Sequence, residues 1–268
     1  MIPEIIATGA AVTAATKIKE DSILGMLYKD TLQPSVQALG KALGSTIEFC
    51  TTPLLLCKFG SDIAKLNYQK HLDSFAEKLK SVQENERISV NPQVGAPIME
   101  RLTYTTNDEI ADLFTSLLTK ASSNGTVNEA HPAYIQIIDR LSIDEARILK
   151  TLVTAEFIPS ISIHAYLKDE AKGFIKIVTD GTNLSAQLLF PNNDFTYLDN
   201  LKSLGILDNS HGFHKKDENL YTPIFEKYNF KQLEEQLLAT GEYSRLDKKK
   251  SYYQITNFGK SFISACIR

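Results

Sequence analysis

VNPQVGAPIMERLTYTTNDEIADLFTSLLTKASSNGTVNEAHPAYIQIIDRLSIDEARILKTL, residues 90–152, decides how the chain is read, because helix starts and apolar stripes follow one another there with short joints. Thr106 and Glu109 stand three residues apart. At that spacing a hydroxyl takes up an orphan amide hydrogen and a carboxylate reaches back to the cap. Ile110, Leu113, Phe114, Leu117, Leu118 and Ala121 then recur with the helical period. The turn-rich run 122–132 closes that helix, and Pro132, after His131, suits the first turn of another, where a missing amide hydrogen does no harm. Tyr134, Ile137, Ile138 and Leu141 form its stripe. Ser142 and Glu145 repeat the capping-box spacing ahead of Ile148, Leu149, Leu152 and Val153.

Upstream, residues 1–82 read as helical throughout, most clearly where Tyr68, Leu72, Phe75, Leu79 and Val82 recur at spacings of three and four. Between Ser81 and Pro97 the period fails, and Asn85, Asn91, Pro92, Gly95 and Pro97 predict a linker or ordered loop. Downstream the texture changes. FIKIVT (174–179) and AQLLF (186–190) predict strands, Tyr197, Leu198, Leu201 and Leu204 a helix, and YYQI (252–255) a strand. That strand runs into a helix capped near Thr256, which buries Phe258, Phe262, Ile263 and Cys266. The fold class expected is mostly α: an N-terminal helical region (1–82), a helical core (83–155) and a C-terminal winged-helix-like α+β module (156–268) whose first helix could open at Ser142.

Composition narrows the function. With 268 residues, 43% of them hydrophobic and 23% charged, the chain can bury one large core or two modest ones. A formal charge of −3 supplies no general basic field for nucleic acid or anionic lipid. Residues 141–268 hold 16 Lys plus Arg against 16 Asp plus Glu, so nucleic acid is an unfavoured partner. Lys248, Lys249 and Lys250 are the compact basic run through which it would be contacted, and solvated charge near a turn is the plainer reading of them. Cys50, Cys57 and Cys266 are too scattered for a disulfide framework or a zinc site. No apolar run approaches the ~18 residues of a membrane span. Glu4, and the absence of lysine before Lys17, is the wrong layout for a signal peptide. A cytoplasmic protein is expected.

Chemistry-bearing motifs are few. His131 sits beside Glu129 and could be imagined as a general base, but a His-Pro turn before a helix is the plainer reading. Glu100, Asp108, Glu109 and Asp112 could gather around a hard cation, although charge in a first helical turn accounts for most of them. Phosphate-loop, dinucleotide, serine-hydrolase and zinc-protease signatures are missing, so no catalytic residue and no cofactor is expected. Ile2, Ile5 and Ile6, followed by Lys17 and Lys19, suit packing against the chain itself or a second subunit, and a peripheral membrane contact is the other use open to them.

LLLCKFGSDIAKLNYQKHLDSFAEKLKSV (54–82), Pro97, Glu100 and Tyr104 of APIMERLTY, Asp112 within NDEIADLFTSLL, and His131 and Pro132 of AHPAYIQIIDRLSIDEARIL together resemble the abortive-infection alpha family of bacterial phage-defence proteins. The resemblance covers roughly residues 55–155, with an echo at ITNFGKSFISAC. It implies a helical core and a role in phage defence. It carries no catalytic residue, because the family has no assigned active site. The role expected is an interaction protein with a host or phage protein as partner, and a homo-oligomer is slightly favoured. The alternatives are a winged-helix nucleic-acid regulator and a membrane-active effector using residues 1–57.

Overall fold

The computed structural model describes residues 38–44, 46, 62–184 and 188–268. Ile2, Ile5, Ile6, Cys50 and Cys57 lie outside them. Two compact units divide the chain, Met1–Ile138 and Asp139–Arg268. The class is mixed α+β with a helical majority. Among the described residues no helix is long and apolar enough to cross a membrane.

In the first unit α1 (Asp62–Lys80) packs against α2 (Pro92–Tyr104) and α3 (Asp108–Ala121), and α4 (Ala133–Asp139) follows. The expected α1 stripe is the buried one: Tyr68, Leu72, Phe75 and Leu79 are each at most 5% exposed. The segment expected to be a loop as far as Pro97 becomes helical earlier. Asn91 caps α2 by accepting from the Gln93 amide at 2.9 Å, Pro92 opens it, and Pro97 lies inside it. Proline removes one helical hydrogen bond, and here the adjacent side chains Val94, Ile98, Met99 and Leu102 are buried, so packing decides against the local preference. Gly95 permits a close approach: a Cβ there would overlap the Thr46 side chain. The rest of that stretch is ordered by the turn after α3, since Ile88 donates to Ser122 O at 2.9 Å and Asn124 to Glu86 O at 2.8 Å.

The cap of α3 differs by one residue from expectation. Asn107, not Thr106, accepts from the Ile110 amide at 3.0 Å. Both residue types cap well, and spacing alone does not rank them. Leu113, Phe114, Leu117, Leu118 and Ala121 are buried as the stripe predicts.

The second unit begins with α5 (Ile143–Thr151), whose capping box from Ser142 and Glu145 is present with both of its hydrogen bonds. Four strands follow, β1 (Phe157–Leu167), β2 (Phe174–Gly181), β3 (Leu207–Asn209) and β4 (Tyr243–Ile255), in the antiparallel order β2-β1-β4-β3. Helix α6 (Asp194–Ser203) precedes β3, α7 (Thr222–Lys227) and α8 (Phe230–Ala239) precede β4, and α9 (Asn257–Cys266) ends the chain. Thr256 caps α9 by accepting from Gly259 N at 2.9 Å.

β1 and β4 pair from Phe157↔Gln254 to Leu167↔Tyr243 and form the centre of the sheet. Ile161, Ile163 and Ala165 of β1, Val178 of β2 and Leu246 of β4 make one apolar face, covered by Tyr221, Ile224 and Phe225 of the α7 region and Phe230 of α8. The period-two alternation in FIPSISIHAYL is therefore real, yet β1 is absent from the strands expected. AQLLF is not a strand where it is described. Leu188, Leu189 and Phe190 are irregular, and the Leu189 and Phe190 amides donate to the Asp144 carboxylate at 2.7 and 2.9 Å in place of a ladder. Residues 185–187 of that segment lie outside the described ones.

Candidate functional site

Alternation along the sheet sends a second set of side chains to the face opposite the apolar one. Ser160, Ser162 and His164 of β1 pair directly with Ser251, Lys249 and Asp247 of β4, and His164 pairs with Lys176 of β2. This polar face opens into a cleft of about 560 Å³ bordered also by Asp180 and by His211 and His214 of the loop after β3. Three of the five histidines of the chain thus meet there. Elsewhere on this face, buried Ser160 and Ser251 share a 2.7 Å hydrogen bond, and the Tyr253 hydroxyl donates to Asp180 Oδ2 at 3.3 Å.

Local backbone irregularity shapes the cleft. The β1–β2 register shifts between Ile161 and Ile163 and again between Ile163 and His164, and Asp180 takes a left-handed φ of 51°. A bulge re-aims side chains, and Asp is among the few residues that enter the left-handed region readily. The Ser162 hydroxyl accepts from the Asp180 amide at 3.1 Å, which leaves its own proton free to donate. His164 stacks on Phe174, with centroids 4.4 Å apart and planes 8° from parallel. Burial, then the nearby Lys176 and Lys249, hold the His164 imidazole below its ordinary pKa against the opposing pull of Asp247. Burial would raise the Asp247 carboxyl, but Lys249 and Arg245 outweigh it and hold the group below the usual range. Burial first, then the charge of Asp180, pushes the Tyr253 hydroxyl far above the usual phenol range.

Among the described residues, the buried side-chain nitrogen and oxygen atoms without a hydrogen-bond partner belong to His164 (Nδ1), Asp180 (Oδ1) and Asn209 (both amide atoms). Asn209 pairs with Tyr253 across β3 and β4, so all three residues lie on the polar face. Polar atoms are seldom left unsatisfied in an interior, and two of these residues, His164 and Asp180, border the cleft.

The basic run does not form one patch. Lys248 lies opposite Ile163 and Lys250 opposite Ile161, on the apolar face, whereas Lys249 lies opposite Ser162 on the polar face. The Lys248 ammonium stands 4.3 Å from the Phe230 ring centroid and 5.0 Å from that of Phe225, and Lys250 pairs with Glu218. The three residues lie within a 13-residue strand, not near a turn. All three nevertheless border the cleft.

The other residues singled out from the sequence lie in the first unit and do not converge. Glu100 pairs with Arg101 at 3.4 Å, and the Arg101 guanidinium stands 5.9 Å from the centroid of the exposed Tyr104 ring. Asp112 pairs with Lys78 at 2.6 Å and Asp108 with Lys70 at 2.6 Å. Among the described residues no three His, Cys, Asp or Glu side chains gather as metal ligands would. Pro97 lies within α2, and Pro132 immediately precedes α4. His131 Nδ1 accepts from the Ala133 amide at 3.1 Å, a local turn bond at the start of α4. Buried His71, which sequence reasoning passed over, bonds through Nε2 to Thr105 O at 2.8 Å. The signal for the cleft was the alternation of FIPSISIHAYL, visible once β1 is read as a strand.

Residues 67–266 of the 268 match the family described as Abortive infection alpha, a span that takes in the sheet and α9. A solved structure, that of an uncharacterized protein from the hydrocarbon-degrading marine bacterium Alcanivorax borkumensis SK2, is 15% identical, with 53% of this chain and 94% of that chain covered and a TM-score of 0.32. No curated protein matches. With helices and sheet alike inside the matched span, the chain belongs to the abortive infection alpha family.

Proposed function

We propose that the chain is an antiphage defence protein of the cytoplasm that acts by binding a host or phage protein, not by catalysis. Family membership supports the process, and one observation carries the mode. The buried Asp144 carboxylate accepts from the Leu189 and Phe190 amides, and this fixes a loop whose two side chains stand 51% and 65% exposed, with Phe195 of α6 40% exposed beside them in sequence. Large apolar side chains held outward on a fixed backbone are the usual anchors of protein contacts. In the cleft, meanwhile, His164 Nδ1 has no carboxylate to orient it as a general base. Plaque assays on cells carrying the Leu189→Ser/Phe190→Ser protein test the reading. Protection should fall while the melting temperature stays within about 3 °C of the parent. Full protection by that variant overturns it.

A winged-helix nucleic-acid regulator is the second reading, supported by the run of α6 into β3 and of β4 into α9, with α7 and α8 inserted between the two strands. Of the lysine run only Lys249 lies on the polar face, which suits weak and salt-sensitive binding at best. Tight binding to duplex DNA near physiological salt, lost in Lys249→Ala, promotes this reading over the first. The membrane-effector and oligomer readings rest on residues 1–57, and fractionation and gel filtration of the full chain with and without residues 1–20 separate them.

A further inference from the structure

The geometry points to a ligand site in the cleft for a phosphorylated sugar of mononucleotide size. The cleft supplies two kinds of partner within one concavity. Lys176 makes no ion pair among the described residues, Lys249 shares Asp247 with Arg245, and the Ser162 hydroxyl has its proton to give. Two ammonium groups and a hydroxyl are the complement of a phosphate. Asp180 adds the opposite requirement. Its Oδ2 accepts from the Tyr253 hydroxyl and its Oδ1 has no partner, so the carboxylate beside the cleft repels a bare phosphate and favours a ligand that also carries hydroxyl donors. A molecule that carries an anion and, a few ångströms away, neutral hydroxyl donors meets both demands, and a sugar phosphate is that chemistry.

Size argues in the same direction. About 560 Å³ lies within the range of small-molecule pockets and far exceeds what an inorganic anion fills. Backbone placement is the third support: the double register shift in β1 and the left-handed Asp180 are departures from a regular sheet, and both occur beside residues that border the cleft. The site is independent of the Leu189 and Phe190 loop, so its test neither uses nor presupposes phage defence.

Calorimetric titration of the full chain with AMP, ribose 5-phosphate and inorganic phosphate decides the matter. AMP is expected to bind saturably, with a Kd of about 100 µM or tighter, and inorganic phosphate at least about tenfold more weakly. Ribose 5-phosphate equal to AMP assigns recognition to the phosphorylated sugar alone, and a tighter AMP adds the base. Both outcomes support the site. Lys176→Ala, a change at an exposed residue, should weaken AMP about tenfold or more with an unchanged circular dichroism spectrum. Asp180→Asn keeps a side chain that tolerates the left-handed backbone, and it should weaken AMP while leaving inorganic phosphate unweakened. Inorganic phosphate binding as tightly as AMP, AMP affinity indifferent to Lys176→Ala, or no saturable binding of either organic phosphate overturns the proposal.

Discussion

Lys248 and Lys249 are neighbours in sequence and belong to opposite faces of the sheet: the first stands over the ring of Phe230, and the second pairs with Asp247 at 3.3 Å. The two ammonium groups therefore contribute to different properties of the molecule. Lys248→Ala removes a cation from two aromatic rings and should cost about 1 kcal/mol of stability. Lys249→Ala, at a half-exposed ion pair, should change stability by less than about 0.5 kcal/mol and weaken ligand binding in the cleft instead. Urea unfolding of the two variants side by side measures the contrast, and equal losses would contradict the assignment of faces.

Asp144 is only 1% exposed and accepts from two backbone amides and, at 3.0 Å, from the Tyr197 hydroxyl. Burial would raise its pKa, but these three hydrogen bonds, with help from Arg147, bring the net shift below the usual carboxylate value. Asp144→Ala leaves those donors unpaired and should destabilise the protein by about 3 kcal/mol. The sign in pH follows from the lowered folded pKa. The stabilisation is complete above the unfolded value near 3.9 and is lost as pH falls through the folded one. Asp144→Asn should be less stable at pH 6 and lose less on acidification, as read by denaturant midpoints.

His164 titrates with the same sign in a higher pH window. Its folded pKa lies below its ordinary value, so below pH 6.5 the unfolded chain binds the proton that the folded protein resists. Its contribution to stability is thus highest above the ordinary value and declines as pH falls through it. His164→Gln should flatten that part of the stability profile. A slope unchanged in this variant would remove His164 as the source.

Leu117 is fully buried in α3. Leu117→Asp places a charge where no partner waits and should cost on the order of 3 kcal/mol or more, enough to lose the cooperative transition of the first unit. His131→Ala removes one exposed turn bond, and its melting temperature should stay within about 2 °C of the parent.

The sequence by itself determined α1, α3 and α4, the capping box of Ser142 and Glu145 and the cap of α9 at Thr256, because these are decided within one or two turns of chain by spacing and hydrogen-bonding capacity. It misplaced the cap of α3 by one residue and the start of α2 by a whole proline, where two local preferences compete and burial of Val94, Ile98 and Leu102 decides. The polar face was not legible. His164, Lys176, Asp180, Asn209 and Lys249 come from four strands of one sheet, and only antiparallel pairing in a particular register puts them side by side. The same pairing separates Lys248 from Lys249, which a linear reading joins. Local interactions write helices into a sequence, whereas a site assembled across strands exists only after distant segments have paired, and pairing is a property of the tertiary structure.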